Sequence, residues 1–138
     1  MWWIYALLSA LFASLTAIFA KVGIKDVDSD LATATRTLVI MVITWPLVFL
    51  KGNVVLLTSS LNKNNIIFIV LSGIATGLSW LFYFKALQLG KVSQVAPVDK
   101  LSVALTIILS VLFLNESLTL KTALGAIFII CGVLLVIS

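Results

Sequence analysis

The feature that most constrains this chain is the short distance between charged residues and the ends of its apolar segments. After Lys100 the sequence runs without a charge only over residues 101–114, a stretch of 14 residues. A helix needs about 20 residues to cross the bilayer core, at roughly 1.5 Å per residue. A spanning helix that ends near residue 114 must therefore begin near Val95, and it carries Asp99 and Lys100 inside the membrane or at its edge.

Arg36 creates the same problem in an earlier apolar segment. Only 14 residues, 37–50, separate it from Lys51. A span of about 20 residues therefore has to begin near Leu31 and include Arg36. Ionisable side chains inside a membrane are energetically costly, and they commonly mark the pathway of a solute or an ion. Arg36, Asp99 and Lys100 are the first candidates for a functional site.

The composition shows that the apolar segments dominate the chain. Of its 138 residues, 62% are hydrophobic and 10% are charged, whereas a soluble domain carries about 25% charged residues. We therefore predict an all-α integral membrane protein, a bundle of five transmembrane helices joined by polar links, the longest of which covers residues 51–65. The predicted helices cover about residues 2–21, 31–50, 66–89, 95–114 and 118–138.

Several functional classes are disfavoured by what the chain contains. The net charge is +4, but the basic residues stand singly at helix ends, which indicates contact with lipid headgroups and not with nucleic acid. The chain has no histidine and one cysteine, and it shows no nucleophile–base pair, phosphate-binding glycine loop or metal-ligand spacing. We expect no enzymatic activity, no metal and no cofactor.

Five spans place one end of the second, third and fourth helices at the same face of the membrane. The charged residues there would line a vestibule that attracts an anion or a carboxylate, with Asp99 paired either to Arg36 or to a lysine. Trp80, Tyr83 and Phe84 would form an aromatic wall for a small organic substrate. The alternative is that each charge reaches separately for the headgroups and that the aromatic side chains pack against helices or lipid. The predicted substrate-binding or pathway residues are Arg36, Lys85, Asp99, Lys100, Trp80 and Tyr83.

Glycines in two of the apolar helices indicate where helices pack together. Gly73 and Gly77 form a GxxxG pattern in the third span, and Gly125 and Gly132 lie in the fifth. A glycine in a membrane helix allows a neighbouring backbone to approach closely. We predict that these four glycines lie at helix contacts.

The second half of the chain carries a recognisable order of features. An aromatic-rich third helix ends near Lys85, and a turn leads into a fourth helix that begins near Val95 and has Pro97 in its first turn. A short turn containing Glu116 then leads into a fifth helix with glycines. Residues 82–135 resemble the EamA family of the drug/metabolite transporter superfamily. Lys21 and residues 34–36 are similar to the same family around the end of helix one and the start of helix two.

The resemblance implies a fold and a general activity. Typical family members have ten spans, in two five-span repeats of inverted topology, whereas this chain looks like one repeat that forms a single EamA-like domain over residues 1–138. A transporter of a small metabolite or drug-like solute is implied, in the plasma (inner) membrane. The alternative is a non-transporting partner subunit or a structural membrane protein.

A single repeat encloses only part of a pathway, so the resemblance also implies a partner. We expect a homodimer, or a complex with a second membrane chain. With the charges at or within helix ends set aside, Lys25 and Lys91 face one side, and Lys51, Lys63 and Lys121 face the other. This near balance permits insertion in both orientations, and hence an antiparallel dimer. If every basic residue is counted instead, one side of the membrane carries more of them than the other. This excess favours a single orientation and a parallel dimer.

Overall fold

The chain is entirely helical in the residues that its structure describes. The computed structural model describes residues 1–52 and 62–138. Most of the polar link predicted at residues 51–65 therefore lies outside the described residues. Within them the helices are α1 (Trp2–Gly23), α2 (Ser29–Leu50), α3 (Lys63–Leu89), α4 (Val92–Asp99), α5 (Leu101–Leu114) and α6 (Leu120–Ile137).

These helices form five membrane spans, because α4 and α5 together make one span, Val92–Leu114. The predicted five-span, all-α architecture is confirmed. Outside the terminal positions, the boundaries differ from the predicted ones by three residues or fewer, and side-chain caps explain two of the differences. The Asp28 carboxylate accepts hydrogen bonds from the backbone N–H groups of Asp30 and Leu31, so α2 starts two residues early. Thr119 caps α6 in the same way through the N–H of Thr122.

The fourth span is interrupted at Lys100. Its N–H donates to the Pro97 carbonyl at 3.0 Å, and its own carbonyl accepts from Val103 at 3.0 Å. Both bonds join residues three apart, so the chain is wound more tightly here than in an α-helix. The structure corrects the expected start near Val95: α4 begins at Val92, so Pro97 lies inside the helix and not in its first turn. Asp99 and Lys100 thus lie well inside the span.

The chain divides into two compact units. Met1–Phe19 and Leu89–Ser138 make up one, called here the terminal unit, and Ala20–Gln88 makes up the other, the central unit. In the terminal unit, α6 packs against both α4 and α5. The buried apolar residues of this unit are small or medium in size: Ala17, Ala104 and Val133.

The central unit buries larger side chains. Ile24, Phe84 and Leu87 are buried together with the polar Ser29 and Thr33. The Thr33 hydroxyl donates to the carbonyl of Ser29 one turn earlier at 2.8 Å. Its hydrogen-bonding capacity is therefore met inside its own helix, which makes its burial in an apolar setting tolerable.

Large apolar side chains cover the outside of the spans. Phe82 is 73% exposed and Leu135 is 77% exposed, and similar residues occur on every span. In water such a surface would be far larger than the apolar patches that soluble monomers show. In a bilayer it faces hydrocarbon, as expected for an integral, multi-pass membrane protein.

Candidate functional site

The site with the most defined geometry is built around Arg36 in the central unit. Its guanidinium carbon lies 4.0 Å from the centre of the Trp80 ring and 5.5 Å from that of Phe84. Both distances are within the range of cation–π attraction. The contact joins α2 to α3 about 10 Å along α2 from its first residue, at roughly 1.5 Å per residue.

Helical spacing places these side chains. Ser29, Thr33 and Arg36 recur at intervals of four and three, so they share one face of α2. Trp80, Phe84 and Leu87 recur in the same way on α3 and share one face of that helix. Residues from both faces are buried, and Leu87 is 0% exposed.

The aromatic rings offset part of the cost of placing Arg36 in the membrane. An arginine at the centre of a spanning helix costs about 2.5–3.5 kcal/mol on insertion scales. A cation–π contact returns about 0.5 kcal/mol when exposed and about 2 kcal/mol when desolvated. In residues 20–52 and 62–88, no carboxylate pairs with Arg36 and its guanidinium donates no hydrogen bond. Its charge is therefore only partly compensated within the central unit.

Two polar side chains hold the end of α3 beside the link between α1 and α2. Lys21 donates a hydrogen bond to the carbonyl of Leu87, and Gln88 Nε2 donates to the carbonyl of Val27 at 2.7 Å. The last carbonyls of a helix lack partners inside it and carry the negative end of its dipole. The Lys21 ammonium gives one of these carbonyls a hydrogen-bond donor and places a positive charge at the negative end of the α3 dipole. It fixes the depth at which α3 presents its aromatic face.

Aspartates close to Arg36 in sequence have other roles. The Asp28 carboxylate accepts from the first backbone N–H groups of α2, and the Ser29 hydroxyl donates to Asp30 at 3.2 Å. Both carboxylates lie at the positive end of the helix dipole, which favours them there. They form the start of α2 and are not partners of Arg36.

A second group of charges lies in the terminal unit, at the interruption of the fourth span. The Lys100 ammonium is 3.4 Å from the Asp99 carboxylate, and their side chains are 55% and 36% exposed. Of the two predicted arrangements, this contact is the one with a lysine. Arg36 and Asp99 belong to different units, and their pairing stays a prediction.

The remaining predicted site residues lie at the edge of the Arg36 group or outside it. Tyr83 is half-buried on the flank of the α3 face, whereas Lys85 is exposed and lies well round the helix from that face. Phe84, the third residue of the predicted aromatic wall, lies close to Arg36, and its role toward a substrate stays a prediction. The roles of Lys21 and Gln88 depend on tertiary contacts that the sequence does not specify.

The four glycines face open space in the described chain. A Cβ built on Gly73, Gly77, Gly125 or Gly132 meets no atom within 4 Å. Their role in packing against a further helix stays a prediction. In the terminal unit, an open apolar pocket of about 360 Å³ lies between α1 and α4. It is lined by Ser14, Ala17, Val92, Ser93, Ala96 and Pro97, among others.

The sequence pattern of one protein family matches the whole chain. Residues 1–138 fit the EamA-like transporter family. The chain belongs to this family. The EamA-like chain described here is thus an integral membrane protein of a transporter family, as its resemblance implied, and its helices lie in contact with the lipid bilayer.

Two relatives extend the comparison. A protein of Sinorhizobium sp, named an uncharacterized transporter in the cobO 3′ region, is 48% identical over 134 residues, which cover 97% of this chain and 94% of the relative. An uncharacterized protein of Methanocaldococcus jannaschii is 33% identical over 99 residues, covering 66% of this chain and 72% of the relative. No solved structure matches the EamA-like chain.

Proposed function

We propose that this protein carries a small metabolite or drug-like solute across the plasma (inner) membrane, and that residues 1–138 act as a single EamA-like domain. The observation that carries the proposal is the family match over all 138 residues. The name of the Sinorhizobium relative, an uncharacterized transporter, supports it. So does a charged side chain held inside a span by aromatic rings, since intramembrane charges commonly mark solute pathways.

The proposed transporter is a homodimer of antiparallel protomers. A single five-span repeat leaves one side of any pathway open to lipid, and inverted-repeat transporters place their site between two repeats near the midplane. The Sinorhizobium relative supports a one-repeat organisation, because the 134 aligned residues are 94% of its own length. The glycines of α3 and α6, which meet no side chain in the described chain, are the proposed contact surfaces between the copies.

A transport measurement on the purified chain tests the central proposal. Thermal-shift screening in detergent with amino acids, organic acids, nucleotide sugars and hydrophobic cations selects solutes that stabilise the protein. Radiolabelled forms of these solutes are then followed into proteoliposomes that contain this chain alone. We expect saturable uptake of at least one of them. Uptake that requires a second membrane protein would instead indicate a partner subunit.

Cysteine labelling tests the dimer arrangement. The native Cys131 is first replaced by alanine, and a single cysteine is then introduced by Glu116→Cys in the link between α5 and α6. An antiparallel population presents this cysteine on both faces, so an impermeant maleimide added outside right-side-out vesicles should label a fraction and spare the rest until the vesicles are opened. Labelling from one face alone would exclude the antiparallel arrangement and leave the parallel one.

A further inference from the structure

We propose that Arg36 binds the carboxylate of a small organic acid with an apolar or aromatic body, and that Trp80 and Phe84 hold its guanidinium in place. The inference rests on the proposed transport function and names the class of solute for it. Arg36 would touch the solute, whereas the two rings would act as positioning residues.

The guanidinium of Arg36 makes no hydrogen bond within residues 20–52 and 62–88 that would compete with a carboxylate. The group is planar, and its N–H donors point outward in that plane. The guanidinium carbon lies over the Trp80 ring, 4.0 Å from its centre, and this cation–π contact uses none of the N–H donors in a hydrogen bond to an oxygen. A carboxylate is bound in the plane through two parallel hydrogen bonds. The cation–π contacts and carboxylate binding are therefore compatible, and contacts with two rings limit the positions that the guanidinium can adopt.

The charge balance in the central unit calls for an anion. Arginine stays charged under all ordinary conditions. Within residues 20–52 and 62–88, Arg36 has no ion pair and donates no hydrogen bond. The aspartates at the start of α2 are engaged in capping and local contacts. A negatively charged group from outside this unit would complete the site.

The surroundings of Arg36 select a monoanion with an apolar body. The half-buried Trp80 ring offers accessible apolar surface beside it, whereas Phe84 and Leu87, at 3% and 0% exposed, are covered by the protein itself. Lys21, another cation of this unit, donates to the Leu87 carbonyl at the end of α3. One guanidinium balances one carboxylate, whereas a phosphate dianion needs a second cation close by. Small-molecule sites are typically apolar with a few oriented polar groups.

A pair of ligands of matching shape tests the assignment. Phenylacetate and phenylacetamide differ in charge but hardly in size. Their binding to the full chain is measured by thermal shift and calorimetry in nanodiscs of neutral phosphatidylcholine, so the readout does not depend on transport. The variants are Arg36→Gln, Arg36→Lys, Trp80→Leu and Trp80→Phe. The control is Lys51→Gln, which removes a positive charge at the C-terminal end of α2, whereas Arg36 lies near the start of that helix.

We expect phenylacetate to bind and phenylacetamide not to bind. Arg36→Gln should weaken phenylacetate binding by about tenfold or more, because a hydrogen-bonded charge pair is lost. Arg36→Lys should keep part of the affinity, and Trp80→Phe should keep more than Trp80→Leu. Lys51→Gln should bind as the wild type does. Equal binding of the two ligands, or unchanged affinity in Arg36→Gln with an unchanged ligand-free melting temperature, would overturn the proposal.

A second set of discs separates a solute from a lipid headgroup. In discs that contain anionic phosphatidylglycerol, the phenylacetate affinity should stay within about twofold of its value in neutral discs. The reason is that a lipid headgroup competes weakly with a carboxylate that forms two hydrogen bonds to the guanidinium. If anionic lipid abolished phenylacetate binding and stabilised the wild type but not Arg36→Gln, Arg36 would be a lipid site and the proposal would fail.

Transport and site can fail independently. Full flux of a screened solute by Arg36→Gln would leave the transporter proposal intact and overturn this one. Phenylacetate binding that depends on Arg36, without flux of any solute, would uphold the site and count against transport.

Discussion

The central and terminal units place charge inside the membrane in different ways. In the central unit, Arg36 lies against aromatic rings on a continuous helix, and the buried side chains include the large residues Phe84 and Leu87. In the terminal unit, Asp99 and Lys100 pair with each other where a helix is interrupted, and the buried residues include the small Ala104.

Both units meet the same length constraint. Fourteen residues follow Arg36 in α2, and 14 residues make up α5 after Lys100. The charged residue therefore lies about 21 Å before the end of each span, at roughly 1.5 Å per residue. The comparison shows that an intramembrane charge can be supported by a neighbouring helix or by its neighbour in sequence. The first arrangement depends on tertiary packing, and the second on local structure.

The largest effect is expected where packing supports the charge. Phe84→Ala should lower the free energy of unfolding by about 3 kcal/mol, because it removes a buried ring and leaves a cavity, and it should reduce phenylacetate affinity as well. Unfolding in mixed detergent measures the first effect. Phe82→Ala, at a side chain that is 73% exposed on the same helix, is the control and should change little. Similar losses in both variants would show that this face carries no special packing.

Adding volume to the small-residue core of the terminal unit should have the next largest effect. Ala104 is 4% exposed, so Ala104→Leu should destabilise the protein by about 2 kcal/mol through overpacking. Ala75→Leu, at an exposed position of α3, adds the same volume where space is free. If the terminal unit tolerated the larger side chain as well as α3 does, its packing would be looser than its burial indicates.

Breaking the local ion pair should affect activity more than folding. Asp99→Asn leaves Lys100 without its partner inside the span, and we expect flux of the screened solute to fall by about twofold to fivefold, the range that corresponds to a partly exposed ion pair. Because the pair is more than a third exposed, the melting temperature should change by a few degrees at most. Glu116→Gln, outside the helices, is the control. Unchanged flux in Asp99→Asn would mean that this carboxylate serves only to balance charge.

The smallest effect is expected at the open glycines. Gly73→Ile and Gly77→Ile place side chains in space that is empty in the described chain, so the monomer should melt as before. If α3 is a dimer contact, the dimeric fraction in detergent should fall by about twofold or more, as measured by light scattering, since close helix approach needs a small residue. Ala75→Ile, on the opposite face of α3, is the control. An unchanged dimer would assign the glycine face to lipid.

The spans were predictable because hydropathy and length alone determine them. The positions of Arg36, Asp99 and Lys100 inside spans followed from the same counting. The start of the fourth span did not, because counting back about 20 residues from residue 114 assumes an unbroken helix that begins at Val95. The actual helix continues back to Val92 and is interrupted at Lys100, which a length argument cannot detect.

The candidate site was predictable only in part. Arg36 and Trp80 were identified separately, but their contact depends on the depth at which α3 meets α2. That depth is fixed by Lys21 and Gln88, whose partners are backbone carbonyls of Leu87 and Val27. Every residue has such a carbonyl, so no sequence pattern marks the one that is used. The buried Ser29 and Thr33 escaped notice for a related reason, because polar residues near a helix start are usually assigned to its cap.

The link between α5 and α6 limits how this protein can be inserted during its synthesis. It covers residues 115–119 and begins with Asn115 in the left-handed conformation, at φ 53°. Five extended residues reach about 17 Å, well short of the roughly 30 Å hydrocarbon core. The end of α5 and the start of α6 must therefore lie at the same face of the membrane. As a result, α6 crosses the membrane in the direction opposite to α5. The two helices therefore insert as an antiparallel pair, and neither can take the opposite orientation without the other.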